Sequence, residues 1–510
     1  MNEFFGHPRG LAVCFLTEMW ERFSYYGMRA LLTLYLVKHF LFSDHASYEI
    51  FGAYTTLVYL GPVVGGYIAD KYLGSRKAVT LGAILLVLGH FGMAFEGADA
   101  IERIAADGTR VIERDPVYLQ IFYFSLALIC VGVAFLKPNI STIVGALYEE
   151  GDPRRDSGFT IFYMGINLGA AISSIVCGYL GETFGWKYGF GLAGIGMLIG
   201  LVVFLRGQKH LMGRAEPSNA EALKARTKIG LSLEGTIYLC AVASVGVAWF
   251  LVQSYALVGA LLGGTGVIVV LLILFVSFFR CTPVERDRML VAATLIAFSV
   301  LFWSLFEQAG SSLNLFADRA VDRAVMGHEI KASIFQSLNP IFIITLAPLF
   351  AALWVALARR KVEPSTPTKF ALALFQAGLG FLALAFGASL AGEDGKVAVI
   401  WLVLAYFLHT TGELCLSPVG LSMITKLSVK RLVGFMMGVW FLSSAAAQYI
   451  GSIIAKQMSV SGEGGAAVDS ATALTTYGSV FQSIGWLGIA VGVVALLASP
   501  LLRRGMHGVH

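Results

Sequence analysis

The sequence predicts an all-α polytopic membrane protein of fourteen spans, built as two six-helix bundles with an inserted two-helix hairpin. Three observations carry this expectation. Hydrophobic residues make up 57% of the 510 residues, and the mean hydropathy is +0.75. Charged residues are only 14%, against about 25% in a soluble globular protein. The apolar residues fall in blocks of roughly 20, the length that crosses a bilayer as helix.

The blocks centre near residues 24, 60, 86, 130, 168, 197, 241, 267, 303, 345, 379, 410, 442 and 489. Gly and Pro recur inside them, as in other membrane helices. The first block holds Glu18, Glu21, Arg22 and Arg29. A cleavable signal would not tolerate these charges, so the block reads as a retained span.

The loops test the count. Arg9 precedes the first span, and Lys71, Arg76 and Lys77 follow the second. Arg154 and Arg155 follow the fourth, and Arg206, Lys209, Arg214, Lys224, Arg226 and Lys228 follow the sixth. Arg280, Arg286 and Arg288 follow the eighth, and Arg359, Arg360, Lys361 and Lys369 the tenth. Lys426, Lys430 and Arg431 follow the twelfth, and Arg503 and Arg504 the last. With alternating spans all of these lie on one side, which the positive-inside rule makes cytoplasmic, together with both termini. The other side is acidic, with Glu96, Asp99, Glu102, Asp107, Glu113 and Asp115 in one connection and Glu393 and Asp394 in another.

The longest polar break, about 206–228, is a natural seam. Six spans precede it and eight follow, and the first two of these carry almost no buried charge. The expected division is an N-terminal bundle over 1–208, a linker with the inserted hairpin over 209–284, and a C-terminal bundle over 285–510. Removing the hairpin leaves six plus six, the pattern of major facilitator transporters, whose halves are repeats. That reading rests on counting, since no strong residue-level repeat relates the halves. The net charge of +5 is modest, and its basic residues sit in short loops, which does not suggest nucleic acid. The six cysteines form no close-spaced pair, and five of them lie within apolar blocks. They read as small apolar residues rather than a disulfide or metal framework.

An ionisable residue inside a span is costly, and therefore a functional candidate. At about 100° per residue, Glu18, Arg22, Tyr25 and Arg29 fall in one narrow arc of the first span, with Glu21 and Tyr26 on its edges. The bland alternative is a structural ion pair that only fixes packing. Three further spans carry lone charges: Lys137, followed by Pro138 and Asn139; Glu307, one turn after Trp303; and Glu413, one turn before Ser417. Tyr59, Tyr163, Asn167, Asn339 and Trp440 are individually weak signals, because aromatics and Asn in spans mostly serve packing and interhelical hydrogen bonds. His90 and His409 read as packing residues.

The charges separate by half. The first supplies Arg22, Arg29 and Lys137 with Glu18 and Glu21, and the second supplies Glu307 and Glu413. A cavity between halves would be basic on one wall and acidic on the other. That suits a zwitterion carrying a carboxylate and an ammonium. A sugar would not need it, and a simple anion would have no use for the acidic wall.

The run Glu18-Met-Trp-Glu21-Arg22-Phe-Ser-Tyr25-Tyr26-Gly27 resembles the E-x-x-E-R-F-x-Y-Y-G motif of proton-dependent oligopeptide transporters. Phe162-Tyr163-Met-Gly-Ile-Asn167-Leu-Gly169 resembles that family's F-Y-x-x-I-N-x-G motif. The stretch from Gly66 to Lys77 resembles the less specific major facilitator motif between spans two and three. Lys137, Glu307, Leu338-Asn339-Pro340 and Glu413 fall where the family pattern places them, and the inserted pair of spans resembles bacterial members.

The resemblance implies roles. Arg22, Arg29 and Lys137 would receive a peptide carboxylate or hold the network that does, and Glu413, with Asn167 and Asn339, would receive its ammonium. Tyr25, Tyr26, Tyr59, Tyr163, Trp303 and Trp440 would shape side-chain pockets, and Ser417 belongs to the same substrate-binding set. Glu18, Glu21, Arg22 and Glu307 would couple protons, with an Arg29–Glu307 bridge opening when Glu307 is protonated. No histidine stands near Gly52, where some members carry a proton site, so coupling should rest on carboxylates. It further implies symport of di- and tripeptides by alternating access, with the proton as coupling ion and no other cofactor. The protein would be a functional monomer in a bacterial inner membrane. Rival readings are a same-fold carrier of nitrate, an amino acid or a drug, and a membrane sensor that binds peptide without moving it. A membrane enzyme has least support, since the sequence shows no metal-ligand cluster, nucleophile motif or phosphate-binding glycine loop.

Overall fold

The computed structural model describes residues 3–4, 6–107, 110–217, 219–228, 230–392, 395–462 and 470–509. Glu393 and Asp394 of the acidic connection lie outside the described residues. The helices are α1 (Arg9–Lys38), α2 (Asp44–Ile68), α3 (Ser75–Met93), α4 (Pro116–Ala146), α5 (Arg154–Phe184), α6 (Trp186–Gly207), α7 (Ala220–Lys224) and α8 (Leu233–Val252). They continue with α9 (Tyr255–Phe279), α10 (Pro283–Phe306), α11 (Ser312–Ala320), α12 (Leu338–Arg359), α13 (Thr366–Ser389), α14 (Val399–Leu427), α15 (Val433–Lys456) and α16 (Ser470–Gly505). The centre of each of the fourteen apolar blocks falls inside one long helix; α7 and α11 are the two short ones. Among the described residues, twelve helices are long and apolar enough to cross a membrane. The two long helices outside that group are α1 and α2, the first because of its charges.

Helix ends follow local chemistry. Asp115 caps α4 by accepting from the Val117 and Tyr118 N–H groups, with Pro116 at the first helical position. Thr282 and Glu285 form a reciprocal capping box at the start of α10. Burial separates the helices. In α1 most residues are buried, the charged ones included. On α9 only Val258, Leu262, Ile273 and Ser277 are buried, while Val267, Ile268, Leu271, Phe275 and Phe279 are exposed. A helix apolar on all sides but packed on one belongs against lipid.

The chain divides into two compact units. The first is Met1–Leu41 with Ala53–Tyr255, and the second is Phe42–Gly52 with Ala256–His510. In the first, α1 packs on α5 and α6, α3 on α4 and α6, and α8 on α4. Tyr35 is an aromatic hub there, stacked on His39 at 4.6 Å and edge-on to Phe40, Trp186 and Phe190. In the second, α13 packs on α14 and α16, and α10 on α14 and α15. Phe316, Phe381, Tyr477 and Phe481 form its aromatic core. The two helices of the inserted segment fall in different units. Within the second, Gly259 of α9 lies so close to the Tyr449 ring of α15 that a side chain there would collide with it.

Two features are not legible in the hydropathy pattern. The acidic connection folds as an antiparallel ribbon pairing Ile101–Ile104 with Arg110–Glu113. The ninth apolar block also breaks: α10 ends at Phe306, a 3₁₀ turn runs Glu307–Gly310, and α11 comes next. The first turn of α3 anchors the segment between α6 and α8. Arg76 donates to Gln208 at 3.2 Å and to Glu216 Oε2 at 2.9 Å, and its backbone N–H donates to Ala215 O. Its neighbour Lys77 reaches Glu234 at the start of α8, at 2.6 Å.

Candidate functional site

The charged stripe of α1 is buried inside the first unit. Glu18 is 3% exposed, Glu21 0% and Arg22 4%. Arg22 Nε lies 3.0 Å from Glu18 Oε1 and 2.5 Å from Glu21 Oε2. These are contacts of charge rather than aligned hydrogen bonds. Glu18 Oε2, both Glu21 oxygens and Arg22 Nη2 have no hydrogen-bond partner among the described residues. With both carboxylates ionised the trio would carry one more negative than positive charge. Buried carboxylates with unused acceptor capacity are suited to taking up a proton.

Further groups gather around this trio. The Arg22 guanidinium lies 5.5 Å from the Tyr25 ring centroid, and that of Arg29 5.9 Å from Tyr26. The two tyrosine rings meet edge to face at 5.3 Å. Lys137 Nζ sits 4.1 Å from the Tyr59 ring centroid, a cation–π contact. Lys137 is also within electrostatic reach of Glu18 and Glu21. This meeting depends on close backbone approach of α2 and α4: a side chain at Gly65 would strike the Ala134 carbonyl oxygen.

On α5, a side chain at Gly169 would strike the Met19 carbonyl oxygen on α1. The glycine of the second motif thus lets α5 press onto the helix that carries the charges, two residues from Asn167. Asn167 is 6% exposed, and its Nδ2 donates to Tyr163 O at 3.1 Å. Tyr163 itself is 41% exposed.

The second unit holds the other set. Glu307, 8% exposed, stands where α10 gives way to its 3₁₀ turn. The next residue stabilises that break. Gln308 Nε2 donates to Ser304 O at 2.9 Å, replacing a helical bond, and to Gly451 O of α15 at 2.8 Å. Gln308 Oε1 accepts from Ser312 at 2.7 Å, so the buried amide is fully used. One turn before Glu307, Trp303 meets Phe306 edge-on at 5.1 Å.

Glu413 on α14 is 6% exposed and accepts from Asn339 Nδ2 of α12 at 2.9 Å. It lies within electrostatic reach of Glu307. Ser417, a turn further on, is half-buried. Trp440 of α15 packs its ring against Gly420 of α14. His409 is buried between Phe381 and Phe306, with Nε2 3.2 Å from Ala377 O. His90 is fully buried, and neither ring nitrogen has a hydrogen-bond partner among the described residues.

The structure therefore brings Glu18, Glu21, Arg22, Tyr25, Tyr26, Tyr59 and Lys137 together in one cluster of the first unit. It joins Asn339 with Glu413, and Glu413 with Glu307, in the second. Sequence reasoning passed over three residues. Tyr54 on α2 is wholly buried and in electrostatic reach of Tyr25, Arg29 and Glu21; in sequence it reads as one more packing aromatic. Gln308 reads as an ordinary polar residue unless the helix break is known. Thr410 bonds Asn339, and the available sign was a hydroxyl one turn before a span acid.

Among the described residues, no group of three or more His, Cys, Asp or Glu is placed to hold a metal ion. The chain is 38% identical over 512 aligned residues to the uncharacterized transporter YclF of Bacillus subtilis, covering 99% of this chain and 96% of the relative. It is 35% identical to dipeptide and tripeptide permease A of Proteus mirabilis, covering 98% and 96%. It is similar to a crystal structure of a peptide transporter POT variant in complex with alafosfalin, with TM-score 0.83, 37% identity, and coverage of 99% of this chain and 97% of that one. The model of the POT family matches residues 76–469, and on that match and these full-length likenesses the chain belongs to the POT family.

Proposed function

We propose that this protein carries di- and tripeptides into the cell together with protons, by alternating access. One observation carries the reading: each unit holds a largely buried charged set suited to one end of a small zwitterion. The first has Arg22, Arg29 and Lys137, the cations that a peptide carboxylate requires. The second has Glu413 braced by Asn339 at 2.9 Å, an acceptor pair for an ammonium. A relative bearing the name dipeptide and tripeptide permease supports the same substrate class.

In this reading Tyr25, Tyr26, Tyr59, Tyr163, Asn167, Trp303, Ser417 and Trp440 shape the space for side chains. Glu18, Glu21 and Glu307 are the proton acceptors. Protonation of Glu307 removes its negative charge and so changes the balance between carrier states, as coupling requires. The proton is the only coupling partner. The fourteen long helices all cross the membrane, and both termini lie in the cytoplasm of a bacterial cell, a side favoured by the basic loops, with the protein acting as a monomer.

The test is uptake of alanyl-alanine by the purified protein in liposomes under an imposed pH gradient, acidic outside. Accumulation above the outside concentration that collapses with a protonophore supports the reading. Binding without accumulation would make the protein a sensor, and gradient-independent equilibration would remove the proton.

A further inference from the structure

We propose that Thr410 is a positioning residue that sets the amide orientation of Asn339, and through it the preference for substrates with a free amino group. The proposal rests on the peptide reading above and deepens it.

The argument is one of hydrogen-bond direction. Thr410 is wholly buried on α14, three residues before Glu413. Its hydroxyl hydrogen is committed, because Oγ1 donates to Tyr406 O at 2.7 Å. Towards Asn339 the Thr410 oxygen can therefore only accept. It lies 3.0 Å from Asn339 Nδ2. The same nitrogen lies 2.9 Å from Glu413 Oε2, a second acceptor when ionised. Both amide hydrogens are thus drawn to α14. The reversed amide would set its carbonyl oxygen against a carboxylate oxygen and a hydroxyl oxygen with no hydrogen to give. Two acceptors one helical turn apart fix the NH₂ on one side, and Asn339 Oδ1 must face the other.

This has a chemical consequence. A substrate ammonium has three hydrogens and needs several acceptors. Glu413 supplies charge, and the outward Oδ1 of Asn339 supplies a directed oxygen beside it. Without Thr410 the amide keeps only one of its two anchors and is free to turn about it. The ammonium then loses a preorganised acceptor, while the carboxylate end of the substrate, at the cations of the first unit, is unaffected.

The test uses Thr410→Val, which is isosteric but has no acceptor, and Thr410→Ser, which retains the hydroxyl. Proton-driven uptake of alanyl-alanine is measured in liposomes, with N-acetyl-alanyl-alanine as competitor. Thr410→Val should raise KM for alanyl-alanine about five- to tenfold, the size expected for one directed hydrogen bond, with kcat changed less than twofold. The inhibition constant of the acetylated peptide should stay within about twofold, and Thr410→Ser should restore KM. An unchanged KM in Thr410→Val, or equal losses for free and acetylated peptides, overturns the assignment and leaves the transport reading standing. A fall in kcat with KM unchanged in the folded variant also overturns it. Absence of alanyl-alanine uptake by the wild-type protein overturns the transport reading and this assignment with it.

Discussion

Arg319 clasps Asp44 with both arms of its guanidinium, Nη1 to Oδ2 at 2.7 Å and Nη2 to Oδ1 at 2.8 Å. Asp44 is wholly inaccessible to solvent. It also accepts from Ser461 Oγ at 2.6 Å and from the Val460 and Ser461 N–H groups. Five donors on one carboxylate satisfy a buried charge that would otherwise be untenable. Removing one partner leaves the other unpaired. Asp44→Asn and Arg319→Gln should each destabilise the second unit by about 3–5 kcal/mol, read as a lower Tm in detergent. The double variant should lose much less than the sum, since neither residue is then left as a lone buried charge. Additive losses would show that the pair is not coupled.

Glu307→Gln fixes the side chain in an uncharged form. Uphill, proton-driven uptake should disappear, while counterflow exchange of peptide across the membrane persists. Uphill uptake at the wild-type rate would remove Glu307 from the coupling path.

Glu413→Ala leaves Asn339 with no carboxylate to bond. Affinity should fall at least tenfold for peptides with a free amino group, the scale of a charge-assisted contact, and much less for amino-blocked ones. Equal losses would refute the ammonium assignment. This variant differs from Thr410→Val in removing the charge itself and not only the geometry beside it.

Gly169→Ala places a methyl group against the Met19 carbonyl oxygen, a backbone atom that cannot turn aside. α5 must then move off α1. The expected destabilisation is about 1–3 kcal/mol, as in overpacked interiors. A thermal shift assay measures it, and uptake should fall because Asn167 moves with the helix. An unchanged Tm would mean that the two helices are not held as closely as their backbones indicate.

Glu216 lies in the loop after α6, outside the spans, and its hydrogen bond with Arg76 holds its carboxyl below the usual carboxylate range. A depressed folded value means that the pair stabilises above the ordinary carboxylate pKa of about 4.3 and that this contribution is lost as pH falls below it. Tm should therefore differ slightly between wild type and Glu216→Gln at neutral pH, by under about 1 kcal/mol for so exposed a pair. The two melting curves should converge as the pH falls from the ordinary carboxylate value through the depressed value of the folded state. A difference independent of pH would assign the effect to packing.

The long helices are legible in the sequence because a span must be apolar along its whole length, and that pattern survives any packing. The stripe of α1 is legible for the opposite reason. Glu18, Glu21 and Arg22 violate the pattern, and a violation needs a protein interior to accommodate it. The break at Glu307–Gly310 is hidden, since its cause is a Gln308 side chain bonding a carbonyl on another helix, a tertiary fact without local signature. Thr410 is hidden in the same way. Threonine is common in membrane helices, and its importance comes from which way its hydroxyl hydrogen is already spent. The ribbon at 101–113 is short and polar, so it leaves no trace in hydropathy.

The anchoring of Arg76 and Lys77 has a bearing on how the chain comes to be folded. Their acidic partners, Glu216 and Glu234, are made 140 and 157 residues later. At about 5–20 residues per second, the ribosome leaves these two cations without them for roughly seven to thirty seconds. During that interval α3 to α6 can enter the bilayer and pack, but the loop at Gly74, with the first turn of α3 after it, has nothing to hold. The arrival of α8 is what fastens it, so nascent chains stopped before residue 216 should be more readily digested at that loop than chains carried past residue 234.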